Sequence, residues 1–130
     1  MKKSTAKHPT TLELEVLKIL WRDGPATVRE VRDALADVRD LAYTSVLTVL
    51  DIMFKKGYVR RKKRATSFVY RSAVNRQTTT RGMLGDLVEK LFDGSPAAAA
   101  LHLLETSDID EKELRTLRTL LESKNGENES

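Results

Sequence analysis

At 130 residues with no cysteine, the chain is long enough for one compact domain or a small domain with an appendage, and it can hold no disulfide, thiolate metal site or cysteine nucleophile. A hydrophobic share of 40% permits a packed core, while 5% aromatic and 32% charged residues suit a small, mostly helical protein with much exposed surface. The net charge of +4 is unevenly spread: residues 1–75 hold 16 Lys/Arg against 8 Asp/Glu and residues 76–130 hold 7 against 11, so the first part is a candidate for a polyanion and the second is not.

The opening MKKSTAKHPT is basic but leads into no apolar stretch, so it does not match a signal peptide. No run of about 18 apolar residues is present to insert in a membrane. With no cysteine to oxidise, the expected location is the reducing cytoplasm.

Thr10 or Thr11 is placed to cap a first helix running to about Asp23, with Leu14, Leu17 and Trp21 on one face and Val16 and Leu20 beside them. The DGP at 23–25 stops it. Thr27 and Glu30 have the spacing of a capping box and open a second short helix along Val28, Val31 and Leu35. A third helix is predicted from Tyr43 to the Lys55-Lys56-Gly57 stop, where cations suit the helix dipole and glycine suits the cap. Val46, Val49, Leu50 and Met53 share one side of it. Thr44, Thr48, Asp51 and Lys55 fall on the opposite side, flanked by Ser45 and Ile52. YVRRKK and SFVYRS, joined by RAT, read as a β-hairpin.

The polar SAVNRQTTTR predicts a boundary near residue 75. A fourth helix then carries Met83, Leu84, Leu87, Val88, Leu91 and Phe92 until DGSP breaks it. AAAALHLLE is a short helix of strong formers, and Asp110 with Glu113 caps a last helix bearing Leu114, Leu117, Leu120 and Leu121. SKNGENES is expected to fray. The predicted organisation is a domain over 1–75, a helical region over 76–123 and a disordered tail over 124–130.

Between Lys55 and Arg64, seven of ten residues are basic and none is acidic. Like charges so close together repel, and an external polyanion compensates them. Helix, helix, helix, basic hairpin is the order of a winged helix-turn-helix, whose third helix enters a major groove while the hairpin straddles phosphates. Thr and Ser hydroxyls on the exposed face of that helix suit base edges, and basic residues from Lys55 to Arg64 would displace counterions. A solvated charge run is the plainer reading of a basic stretch alone; the helices before it lower its weight. A module for RNA or a protein partner is the alternative, although few aromatics and no stacking motif argue against single-stranded RNA.

An enzyme is poorly supported. His8 and His102 are the only histidines, no paired carboxylates adjoin a base, and no glycine-rich phosphate loop occurs. His102 reads as a packed or interface residue. Asp108, Asp110, Glu111 and Glu113 read as helix-start acids and not as a metal site. No cofactor is implied.

LELEVLKILWRDGPATVREVRDAL, AYTSVLTVLDIMFKKGYVRRKK and FVYRSAV resemble the penicillinase-repressor family of bacterial winged-helix repressors (the BlaI/MecI/CopY type), over roughly residues 10–123. The resemblance implies a homodimer held by the C-terminal helices, bound to a dyad-symmetric operator in double-stranded DNA and blocking transcription. It places DNA-reading positions on Thr44, Ser45 and Thr48 and wing contacts on Arg61, Lys62, Lys63 and Arg64, with Lys55 adding charge at the helix end. The leucine-rich stripes then serve dimerisation: Leu84, Leu87, Val88, Leu91, Leu101, Leu104, Leu114, Leu117 and Leu121. On the residues alone, these stripes either close one monomeric core or await a partner, and a stretch this short favours the partner.

Three departures from the family stand out. Ile52 occupies a position where many members have Arg, and Ile makes no bidentate contact to guanine. Members released by proteolysis, through a membrane sensor protease encoded nearby, are commonly cut at an Asn-Phe bond; the matching pair here is His102-Leu103. The cysteine cluster of copper-responsive members is absent.

Overall fold

The computed structural model describes residues 8–129; the basic run before His8 and Ser130 lie outside the described residues. In chain order the elements are α1 (Thr11–Asp23), β1 (Ala26–Thr27), α2 (Val28–Leu35), α3 (Tyr43–Lys56), β2 (Val59–Arg64), β3 (Ser67–Ser72), α4 (Arg76–Phe92), α5 (Pro96–Thr106) and α6 (Glu111–Glu129).

Local chemistry sets the first boundaries. Thr10 accepts the Glu13 amide at 3.2 Å while the Glu13 carboxylate accepts the Thr10 amide at 2.9 Å, and Thr27 and Glu30 repeat the arrangement at the start of α2. Helix α3 has no side-chain cap at its start and ends on Gly57, whose φ of 87° is open to glycine at little cost.

The three strands form one antiparallel sheet in the order β1-β3-β2. Strand β1 is an addition to the predicted pattern. Its two residues pair with β3 through Ala26↔Tyr70 and Thr27↔Val69. Such a segment is too short to show alternation, and the extended backbone of the Thr27 cap supplies half of it. The hairpin closes between Arg64 and Ser67, with Ala65 in the left-handed region at φ 56°.

Leu17 and Val16 from α1, Val31 and Leu35 from α2, Val46, Leu50 and Met53 from α3, and Val59 and Tyr70 from the sheet close one core. Each fully buried side chain of this size contributes about 1.5–3 kcal/mol. Glu13 is buried at the rim of this core, and its carboxylate meets Lys56 Nζ at 2.9 Å. The end of α3 is thereby tied to the start of α1 by an ion pair whose partners lie 43 residues apart. The Trp21 indole donates to Val74 O at 2.9 Å and Ser72 Oγ at 3.0 Å, fixing the chain as it leaves β3. Mostly helical, with a small sheet whose hairpin follows the third helix, this is the winged helix-turn-helix architecture with further helices after it.

The chain divides into two compact units, residues up to Leu84 and residues from Gly85. That division lies inside α4. Helix α4 opens at Arg76, next to the boundary expected near residue 75, and takes in the polar RQTTTR: Asn75 Oδ1 accepts the Thr78 amide at 2.7 Å and the Arg76 guanidinium lies over the Trp21 ring. Similarly, α6 continues to Glu129 through the segment expected as a tail. Gly126 is the weakest helix former in that stretch, beside Asn125 and Asn128, and one glycine costs only about 1 kcal/mol in a helix.

In the second unit, Asp93 and Gly94, both at positive φ, turn the chain between α4 and α5. Ser95 caps α5 by accepting the Ala98 amide at 3.1 Å. Asp110 and Glu113 exchange reciprocal bonds at the start of α6. Phe92 and His102 rings meet at 5.7 Å between centroids. No helix is long and apolar enough to cross a membrane among the described residues.

Candidate nucleic-acid interface

Helix α3 buries Val46, Leu50 and Met53, which turns Thr44, Ser45, Thr48 and Lys55 to solvent. The Thr48 hydroxyl donates to the Thr44 carbonyl at 2.9 Å. This bond occupies its proton and leaves its oxygen lone pairs and methyl group facing out. Ile52 is exposed on the flank of the same face, as are Tyr43 and Leu47. Asp51 is the acid among them, and it carries two cations: Lys55 Nζ at 3.1 Å and Arg61 Nη1 at 3.4 Å.

The hairpin sorts its charges by the two-residue period of a strand. Val59 is buried, so Arg60, Lys62 and Arg64 point to the outer face of the sheet. Arg71 stands directly opposite Arg60 in the ladder and joins them there. Arg60, Lys62, Lys63, Arg64 and Arg71 are all exposed, and none has an acidic partner among the described residues. Two arginines facing each other across a ladder destabilise it by about 0.2–1 kcal/mol, and a polyanion on this face would turn that repulsion into attraction.

Arg71 thus joins the basic surface from outside the Lys55–Arg64 run, and Arg60, within that run but not singled out, belongs to it as well. Counting alternate residues outward from Val59 would have found Arg60. Arg71 needs the register. Arg61, in contrast, turns inward. Its guanidinium lies 4.0 Å from the centre of the Phe54 ring and 4.5 Å from that of Phe68.

Comparisons with known proteins give the family of the chain that carries this helix face and basic hairpin. The family model described as penicillinase repressor matches residues 9–123. The chain belongs to the penicillinase-repressor family. The transcriptional regulator BlaI of Mycobacterium tuberculosis is 37% identical over 118 residues, which cover 88% of this chain and 86% of that protein. The methicillin resistance regulatory protein MecI of Staphylococcus aureus is 24% identical over 115 residues, covering 88% and 94%. A solution structure of monomeric Bacillus licheniformis BlaI in complex with the blaP half-operator covers 59% of this chain and 92% of that one, at 27% identity and a TM-score of 0.47.

In this penicillinase-repressor family member, the residues singled out for dimerisation line helices with no fully buried side chain among the described residues. None of the residues of α4 or α5 is buried. Leu84, Leu87 and Leu91 recur on one side of α4 at 50–64% exposure, and Leu101, Leu104, Leu117 and Leu121 are exposed as well; Val88 and Leu114 are half-buried. His102 and Leu103 lie inside α5, with the His102 carbonyl accepting the Thr106 hydroxyl at 2.7 Å. Among the described residues, no group of three or more His, Cys, Asp or Glu is placed to hold a metal ion.

Proposed function

We propose that this protein is a DNA-binding transcriptional repressor of the cytoplasm that acts as a homodimer on a dyad-symmetric operator. The observation that carries the reading is the juxtaposition on one unit of an exposed Thr44–Ser45–Thr48 face with five exposed cations that have no acidic partner among the described residues. Helix α3 enters the major groove. Thr48, with its proton held by Thr44, accepts from a base amino group or packs its methyl on a thymine. Lys62, Lys63 and Arg64, with Arg60 and Arg71, neutralise phosphates beside the groove. A repressor so seated excludes other proteins from the same stretch of duplex.

Dimerisation rests on the second unit. Eight large exposed leucines from Leu87 to Leu121 leave more apolar surface than a lone chain of this size keeps in water, and a second copy covers it. Two α3 helices then meet half-sites about one helical turn apart, and the second contact becomes intramolecular. Release follows from cutting α5 between His102 and Leu103 by a membrane sensor protease encoded nearby, which would detach α6 and its leucines. The acidic second unit stays clear of the duplex, consistent with the charge split along the chain.

The test is selection of binding sites from a random-sequence duplex pool by the full chain, followed by anisotropy titrations with single-stranded RNA as competitor. The expected result is an enriched, dyad-symmetric site from which RNA does not displace the protein. No enrichment, or displacement by RNA as effective as by duplex, would sink the repressor reading in favour of an RNA or protein-partner module.

A further inference from the structure

The geometry points to Arg61 as a positioning residue that locks the hairpin to α3, so that the outward cations of the wing meet phosphates as one rigid unit. This rests on the DNA-binding reading above. Three groups from two elements converge on one guanidinium: the Phe54 ring from α3 at 4.0 Å, the Phe68 ring from β3 at 4.5 Å and the Asp51 carboxylate from α3 at 3.4 Å. Arg61 itself comes from β2. Its side chain is 27% exposed, whereas that of Lys55 on the same surface is 74% exposed.

The lock is needed because the core ends early in the wing. Val59 is the one buried residue of β2, and Tyr70 the one buried residue of β3. The outer part of the hairpin, which carries Lys62, Lys63 and Arg64, extends past that core. Phe54 and Phe68 lie outside the fully buried cluster, and Arg61 bridges them. A planar guanidinium stacks on rings and pairs with a carboxylate at once; an ammonium does not reproduce that geometry. Arg61 also offsets the charge of Asp51, which lies on the face turned toward DNA and would otherwise repel phosphate. A hairpin held at one angle presents Arg60, Lys62, Arg64 and Arg71 together, while a loose one must be ordered anew on each binding event.

The experiment measures anisotropy of a labelled random-sequence duplex with the full chain over a series of salt concentrations. The variants are Arg61→Ala, Arg61→Lys, Phe54→Leu, Lys62→Ala and the Arg61→Ala/Lys62→Ala pair, each with a thermal melt. Lys62→Ala should make the salt slope shallower by about one unit, as one lost phosphate contact does. Arg61→Ala should make it shallower by about two units or more, since several contacts loosen together. Arg61→Lys should fail to restore it. Phe54→Leu, which removes no charge, should also make the slope shallower. Lys62→Ala should cost less in the Arg61→Ala background than alone.

A direct phosphate contact would instead show rescue by Arg61→Lys, additivity with Lys62→Ala and no change of slope in Phe54→Leu, and any of these overturns the lock. A purely structural role would move the melting temperature and leave the slope untouched, which also overturns it. Failure of the unaltered protein to bind the duplex at all would remove the DNA-binding reading first, and is told apart by Lys62→Ala having nothing to weaken.

Discussion

The two units of this chain use similar helical stripes of apolar residues to opposite ends. From α1 to β3, every helix turns its stripe into one dry core, with Val16, Leu17, Val31 and Leu50 at or below 1% exposure. From Gly85 onward none of the described residues is buried, and Leu87 and Leu91 stand 50% and 64% exposed. The difference lies in what faces the stripe. In the first unit, the hairpin and the crossing helices close on one another from several directions. In the second, three helices of similar apolar content leave their leucines on the outside, where a second chain would complete them. A stripe says that a face is to be covered; the surrounding elements decide whether the cover comes from the same chain.

The largest expected effect separates the units outright. A fragment ending at Leu84 retains the core, the Trp21 anchor and the basic hairpin, so it should melt cooperatively and sediment as a monomer. Its affinity for a full selected operator should fall by about 10²–10⁴-fold, because the second half-site is no longer reached intramolecularly. A dimeric fragment, or one with full affinity, would place the partner surface in the winged helix and dissolve the contrast.

Point substitutions sharpen it at the next scale. Leu50→Ala should cost about 2–5 kcal/mol of unfolding free energy, the range for a large side chain removed from a tight core. Leu87→Ala should leave the melt of the first unit unchanged and instead raise the concentration at which the full chain dissociates in sedimentation runs. Equal loss of stability from both, independent of protein concentration, would mean that the leucine at 87 is packed within one chain.

Much of this contrast was legible beforehand. Capping boxes at Thr10 and Thr27, the glycine stop at Gly57 and the buried line of α3 are local chemistry, decided within a few residues of sequence. What stayed hidden was long-range. Strand β1 exists because β3 lies beside it. The Glu13–Lys56 pair joins residues 43 apart, and Arg60 meets Arg71 only through the hairpin register. Arg61 looked like its neighbours Lys62 and Lys63 because charge is visible in a sequence and direction is not. How far the Thr-rich polar residues join α4 was hidden for a related reason: the Asn75 cap and the Arg76–Trp21 contact recruit them into helix.

Within the first unit, Thr48→Ala tests whether exposed face and core are independent. Thr48 is exposed and its hydroxyl bonds to the carbonyl four residues earlier on the same helix, so removing the hydroxyl should move stability by no more than about 0.5 kcal/mol. Preference for the selected operator over random duplex should drop by about 1–3 kcal/mol in competition titrations if it supports one good base contact. A large drop in melting temperature with preference intact would mean that this face belongs to the fold and not to recognition.

The smallest effect uses a matched pair of turns, one in each unit. Ala65 in the hairpin and Asp93 before α5 are the non-glycine residues with positive φ among those described, at 56° and 51°. For an L-residue this region costs about 1–2 kcal/mol, but Asp offsets part of that by local hydrogen bonding and Ala has nothing to offer. Glycine removes the strain and adds back unfolded-state entropy of about 0.5–1 kcal/mol. Ala65→Gly should therefore stabilise the first unit by about 0.5 kcal/mol. Asp93→Gly should gain nothing, and it leaves two adjacent glycines before Ser95. Ala65 is exposed at the hairpin tip and bears no charge, so duplex affinity and its salt slope should stay as they were. In differential scanning calorimetry, a rise confined to the transition seen in the fragment ending at Leu84 would show that the two units melt separately. A shift of the whole profile would show that they unfold as one, and the contrast between a self-sufficient unit and a partner-dependent one would then have to be redrawn.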